Sequence, residues 1–171
     1  NKALFLFSSI TYEKISSSFD NSFDMTNMAF FGENLILDKI CEKDICVGDI
    51  LKIGQAKVQI TQPRQPCWKL SANTLKNSMT KFIFETGLTG FYAKVLKEGQ
   101  ISQNDDVILE QRTNPNLTIE KLNQIIVEPK IDINLTKEAL ACEDLGHQFK
   151  NSLTKRYELG DEDNQFLSYH T

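Results

Sequence analysis

The chain has 171 residues, 40% of them hydrophobic and 25% charged, enough for one ordinary core or a core with a small satellite. Its 19 Lys and Arg against 23 Asp and Glu leave a formal charge of −4. That argues against sequence-independent capture of nucleic acid, which needs a basic surface. The longest apolar runs, such as Ala3 to Phe7, are too short for a bilayer, and no signal-peptide pattern is present, so no membrane partner is expected.

Residues 2–8 read as a buried strand, apolar on both faces, with Leu4, Phe5, Leu6 and Phe7 deep in a sheet. A strand that begins at the second residue implies natural sequence ahead of Asn1. Thr11 to Ile15 reads as a short helical turn, and Ser16 to Asp24 as a covering loop carrying Phe19 and Phe23. Gly32-Glu33-Asn34 marks a sharp bend before Leu35-Ile36-Leu37. Cys46-Val47-Gly48-Asp49 is a turn into a strand at Ile50 to Ile53. Ala56 to Ile60 alternates with period two, placing Ala56, Val58 and Ile60 on one face. Trp68 to Phe84 holds one or two helices. Leu88 to Leu96 and Val107 to Leu109 are further strands. Short strands with Gly, Asn and Asp turns predict a mainly β fold, a small barrel or sandwich with inserted short helices.

Thr113-Asn114-Pro115-Asn116 is a linker signature, and the expected division is a body at 1–112, a linker at 113–117 and a small three-helix domain at 118–171. Thr118 is the expected N-cap of a helix with the stripe Ile119, Leu122, Ile125 and Ile126, ended by Pro129. Leu135, Ala139 and Leu140 mark a second helix. Phe149, Leu153 and Tyr157 mark a third, stopped near Gly160.

Cys41, Cys46, Cys67 and Cys142 match neither a dense disulfide framework nor a zinc spacing, so free thiols in a reducing cytoplasm are expected. Neither histidine, His147 or His170, is near Cys41 or Cys46 in sequence. The unusual stretch is Gln62-Pro63-Arg64-Gln65-Pro66-Cys67-Trp68-Lys69-Leu70. Its two prolines fix φ and restrict the residues before them, so the loop is stiff before tertiary packing acts. Cys67 falls at the expected start of a helix running from Trp68, where amide donors and the charges of Arg64 and Lys69 favour thiolate. Such a thiolate can attack an electrophile, carry sulfur or ligate a metal. The residues alone leave a second reading open, in which Cys67 is a small hydrophobe packed beside Trp68. Glu33 reads either as part of a turn or as the holder of a basic site residue. Gly87-Leu88-Thr89-Gly90 reads as close backbone packing or as amides that touch a ligand.

Gly32-Glu33-Asn34-Leu35, Val47-Gly48-Asp49, Gln62-Pro63-Arg64-Gln65-Pro66-Cys67 and Gly87-Leu88-Thr89-Gly90-Phe91-Tyr92 together resemble the MOSC domain, the C-terminal domain of molybdenum cofactor sulfurases. The likeness covers about residues 2–112, and the helical tail resembles the three-helix extension of stand-alone YiiM-like members. The resemblance implies a β-barrel-like body that binds a molybdopterin-type molybdenum cofactor. It places Cys67 as catalytic residue and metal ligand, Arg64 on a cofactor phosphate or pterin edge with Lys69 as a further cation, and Gly32, Glu33 and Asn34 in the pocket wall. The family's usual opening, a Gly-x-x-Gly-Asp turn followed by a His- and Gly-containing segment, is absent ahead of Lys2. The implied activity is reduction of N-hydroxylated compounds, N-hydroxylated purines among them, with an external electron-donor protein and, as one possibility, a homodimer. The alternatives are a sulfur carrier or sulfurtransferase with a persulfide on Cys67, and a non-catalytic cofactor-binding or assembly module.

Overall fold

The computed structural model describes residues 2–20, 23–26 and 28–159. In chain order the elements are β1 (Leu4–Ser8), α1 (Ser9–Ser18), β2 (Leu35–Leu37), β3 (Ile50–Ile53), β4 (Ala56–Pro63), α2 (Lys69–Thr74), α3 (Met79–Thr86), β5 (Phe91–Lys97), β6 (Val107–Gln111), α4 (Ile119–Val127), α5 (Ile133–Ala141) and α6 (His147–Leu159). The expected end of the third C-terminal helix at Gly160, the remainder of the helical unit to Thr171, and His170 lie outside the described residues.

The strands form one sheet in the order β2-β1-β5-β4-β3-β6. The β1–β2 pair is parallel and the other pairs are antiparallel. In β4 the alternating set Ala56, Val58 and Ile60 is buried, as its period demands. Strand β1 is buried on both faces. Leu4 and Leu6 join Leu51, Val58 and Ile60 in the core under the C-terminal helices, while Phe5 and Phe7 join Tyr12, Phe23 and Phe31 in an aromatic cluster on the other side. Phe7 stacks on Phe31 at 5.0 Å between ring centroids, and Tyr12 meets Phe31 edge-on at the same distance.

The mainly β expectation is corrected here. Helix makes up 35% of the described residues and strand 22%, so the fold is mixed α/β. The sheet stays open, a half-barrel with β2 and β6 as its edges, and both faces are covered by helices instead of by closure. Helix α1 is one source of the error. Its sequence is serine-rich and holds two isoleucines and a threonine, a weak helix former by composition. It forms because the Ser8 side chain accepts from the amides of Ile10 and Thr11 at 3.2 and 3.5 Å, and because Thr11, Tyr12, Ile15 and Ser16 are buried.

Helices α4 to α6 share the sheet's core. Leu122, Ile125, Phe149 and Leu153 are fully buried in the same cluster as Leu6, Leu51 and Val58. Thr118 caps α4 by accepting from Lys121 N at 3.2 Å, and Asp132 caps α5 by accepting from Leu135 N at 2.9 Å. The crossing into the helices is pinned by a forked ion pair. Arg112 Nε and Nη2 donate to Asp49 Oδ1 and Oδ2 at 3.0 and 2.7 Å, and the fully buried Asp49 also accepts from Cys46 N at 2.9 Å. The start of α6 abuts β4, where Gly146 N donates to Thr61 O at 3.0 Å. A Cβ on Gly146 would lie 2.0 Å from Gln62 Oε1, so a larger residue there would require the Gln62 side chain to move. No helix of the described residues is long and apolar enough to cross a membrane.

Truncating Leu122 to alanine leaves a cavity in this shared core and is expected to cost about 2–5 kcal/mol. Urea unfolding followed by far-UV circular dichroism and by fluorescence of the single tryptophan, Trp68, should show one common transition. Two separate transitions would mean that the proposed units, 1–112 and 118–171 joined at 113–117, unfold independently.

Candidate functional site

The proline-bounded loop leaves β4 at Pro63 and runs without regular structure through residues 64–67. Trp68 caps α2, which starts at Lys69, so Cys67 lies one residue ahead of the cap and not at the expected helix start. The Cys67 carbonyl accepts from Leu70 N at 2.9 Å and from Thr80 Oγ1 at 3.0 Å, so α2 and α3 both hold its backbone. Its side chain is half-buried, whereas Cys41, Cys46 and Cys142 are buried, and burial pushes each of those three thiols up. Trp68, beside it in sequence, is 65% exposed.

Arg64 points from the loop across the sheet. Its backbone N donates to Gly90 O at 3.2 Å, its Nη1 donates to Phe31 O, and its guanidinium carbon lies 4.7 Å from the centroid of the Phe5 ring. Burial pulls this guanidinium below its usual value, and neighbouring Tyr92, Cys67 and Glu33 act in the opposite direction. The Gly-Glu-Asn bend meets Arg64 at Phe31. Glu33 Oε2 accepts from Phe31 N at 3.1 Å, so one carboxyl and one guanidinium grip the same residue's backbone. Burial raises Glu33, partly offset by hydrogen bonds from its own and the Phe31 backbone and by Arg64. Asn34 clamps the bend to β1, its Oδ1 accepting from Phe5 N at 2.7 Å and its N donating to Phe5 O at 2.8 Å. Gly32 has φ +79° and open space where a Cβ would stand. Lys69 is exposed on α2, and no ion pair of the described residues involves it.

The loop Gly87–Gly90 is the second support. Gly90 N donates to Glu42 Oε1 at 2.9 Å, and the buried Glu42 accepts from Thr11 Oγ1 at 2.6 Å through its other oxygen. Gly90 has φ +66°, and a Cβ there would lie 2.8 Å from Leu6 O and from Phe5 Cε2. Helix α6 completes the frame. Ser152 Oγ lies 3.4 Å from Gln65 Oε1, and Phe149 packs at the small gap beneath Arg64 and Pro66.

Glu33 and Asn34 of the bend and Gly90 of the second loop therefore converge on Phe5, Phe31 and Arg64, while Cys67 is held by α2 and α3, Asp49 lies with Arg112, and Lys69 stands apart. Sequence reasoning missed Lys2. Its Nζ donates to Gln148 Oε1 of α6 and sits 4.8 Å from the centroid of the Tyr92 ring. Burial and then the neighbouring Arg64 lower this ammonium. The signal was absent locally, because the Phe5–Tyr92 pairing that sets Lys2 beside Arg64 belongs to the β1–β5 ladder. A separate 910 Å³ cleft is lined from both ends of the open sheet, by Glu33, Asn34 and Leu37 at the β2 end and by Ile53 and Val107 at the β3–β6 end, and takes in neither Cys67 nor Arg64. Among the described residues no group of three or more His, Cys, Asp or Glu is placed to hold a metal.

The sequence profile of the MOSC domain matches residues 1–108. The protein YflK of Bacillus subtilis is 32% identical over 128 residues, covering 75% of this chain and 58% of that one. A Gibberella moniliformis protein named Reductase is 29% identical over 116 residues, covering 67% of this chain and 21% of that one. The crystal structure of YiiM from Geobacillus stearothermophilus superposes with a TM-score of 0.82 at 32% identity, covering 91% of this chain and 78% of that one. The chain thus spans well under two thirds of YflK and about a fifth of the Gibberella protein.

Two outcomes are expected. A thiol reagent added to the native protein should label Cys67 before the three buried cysteines, and Cys67→Ser should remove the fast phase; a fast phase that survives would place the reactive thiol elsewhere. The raised Glu33 acid contributes stability that is fully present below its unfolded value and is lost as pH rises through its folded value. Glu33→Gln should therefore gain thermal stability over the parent as pH is raised from about 4 to about 8. A difference in melting temperature that stays flat across that range would contradict the assigned burial cost.

Proposed function

This chain belongs to the MOSC domain family and is YiiM-like, and on that premise we propose that it binds a molybdopterin-type cofactor and reduces N-hydroxylated compounds, N-hydroxylated purines among them. The observation that carries the reading is the presentation, on one stiff loop, of an accessible thiol, Cys67, next to a half-buried guanidinium, Arg64. The name of the Gibberella relative, Reductase, supports the same class of chemistry.

The donor set fits such a group. A metal that arrives with its own organic ligands needs one protein donor and not a cage, and the lone accessible thiol matches that need. When bound, the cofactor would supply a metal centre able to pass two electrons to the substrate. Cys67 Sγ would be the protein's donor to that metal. Arg64 would neutralise an anionic part of the cofactor, with the exposed Lys69 as a more distant cation. Glu33 through the Phe31 backbone, and Asn34 through the Phe5 backbone, hold the two residues against which the guanidinium rests. The open space beside Gly32 leaves room at the wall of the site. Overall, a hydroxylamine R–NHOH takes up two electrons and two protons and yields R–NH₂ and water. The electrons come from an external donor protein.

A second reading is favoured by the same lone thiol, since a persulfide on Cys67 would need no metal at all. The full-length protein expressed in a host that makes the cofactor should contain molybdenum and reduce a hydroxylamine, and Cys67→Ser should lower both by about tenfold or more. Molybdenum-free protein carrying a labile extra sulfur on Cys67, seen by mass spectrometry, would replace the reductase reading with sulfur transfer.

A further inference from the structure

Helix α2 is bracketed by two large apolar side chains that face solvent. Trp68, its N-cap, is 65% exposed, and Leu75, its C-cap, is 88% exposed. With the exposed Ala72 they recur at i, i+4 and i+7, while Leu70 and Thr74 of the same helix are buried. Neither end residue is one that the helix itself calls for. The Trp68 side chain makes no capping hydrogen bond, and Leu75 holds φ +55°, a left-handed position that suits glycine or asparagine. A leucine there is unfavourable both for its backbone and for its contact with water. The charge around the two has one sign. From Arg64 to Phe84 the chain carries Arg64, Lys69, Lys76 and Lys81 and no Asp or Glu, although its overall formal charge is −4. Lys81 pairs with Glu85 at 3.8 Å, whereas no ion pair among the described residues involves Lys69 or Lys76. Those two lysines directly follow Trp68 and Leu75 in sequence. The surface adjoins the thiol loop, since Cys67 precedes Trp68 and its carbonyl accepts from Leu70 N of α2.

We propose that the exposed face of α2, Trp68 and Leu75 with Lys69 and Lys76 beside them, docks the acidic surface of an electron-donor protein next to Cys67. The inference rests on the reductase reading, which draws two electrons from such a donor, and it names where the donor sits. The indole supplies apolar area to bury, and the lysines steer an oppositely charged partner onto it. Helix α2 spans six residues, about 9 Å, far shorter than the helices that lie in a lipid surface, which favours a protein over a membrane. In a two-fold dimer the same patch would meet itself, cation against cation, so a second copy of this chain fits poorly.

The test titrates full-length protein calorimetrically with an acidic flavodoxin and, separately, with basic cytochrome c. Flavodoxin should bind, cytochrome c should bind at least about tenfold more weakly, and raising salt from about 20 to about 300 mM should weaken flavodoxin at least about tenfold. Trp68→Ala should weaken flavodoxin at least about tenfold. Lys76→Glu should weaken it at least about threefold and flatten the salt dependence. Leu75→Asn should weaken it while raising the melting temperature, because asparagine tolerates the left-handed backbone. Lys137→Glu, an exposed cation on α5, should behave as the parent. No flavodoxin binding in the parent, or equal affinity in the parent and a folded Trp68→Ala, overturns the docking face. Trp68-dependent sedimentation with anionic lipid vesicles, or Trp68-dependent self-association, in place of flavodoxin binding also overturns it and gives the face to a membrane or a second copy. Protein from a cofactor-making host separates this inference from the reductase reading. With a reduced viologen dye, which needs no docking, Lys76→Glu should reduce a hydroxylamine as fast as the parent, and with flavodoxin as donor it should be slower. Trp68-dependent flavodoxin binding in a parent that never acquires molybdenum keeps the docking face and removes the reductase reading. A molybdenum-loaded, active parent whose flavodoxin affinity ignores Trp68 does the reverse.

Discussion

Strand β1 sends Leu4 and Leu6 into the core beneath the C-terminal helices and Phe5 and Phe7 into the aromatic cluster on the other face. Because side chains alternate with period two, a slip of one residue would exchange the two sets and bury each among the wrong neighbours. The register is held from both sides. Leu6 pairs with Leu35 in β2, and Phe5 pairs with Tyr92 in β5. The same residue, Phe5, has its backbone gripped by Asn34 and its ring beneath Arg64. Packing of the fold and placement of the candidate site are therefore one constraint.

The polar groups around that strand follow from it. Arg64 is too buried to be solvated freely, and it gains a carbonyl acceptor and an aromatic face in place of water. Glu33 cannot rely on solvent either, and it uses the Phe31 amide. The two meet through one backbone residue, with no direct ion pair between them. In the same way Glu42 joins the Gly90 amide to α1, so the turn that receives the Arg64 backbone is tied to an element on the aromatic face.

Much of this was legible in the residues. The alternation of Ala56, Val58 and Ile60 located β4, the stripe Ile119, Leu122, Ile125 and Ile126 located α4, and Thr118 announced its start. The prolines around Arg64 marked a fixed loop, and that loop lies outside regular structure. What local pattern could not carry was the balance between helix and strand. Ser9–Ser18 is helical through capping and burial, not composition, and the open sheet depends on which strands become neighbours. Lys2 escaped notice for the same reason. Its company is decided by a strand some ninety residues later and by a helix near the other end.

The geometry around residue 90 has a consequence for substitution. There the main chain must turn with positive φ while passing against Leu6 O and the Phe5 ring, and a single hydrogen atom is all the space allows. A methyl group in its place would wedge apart the start of β5 and the middle of β1. The aromatic rings that those strands hold in register would separate with them, and the spacing of the two positive charges above the rings would widen. A change containing no polar atom, at a residue that bears no functional group, would thereby retune the electrostatics of the site.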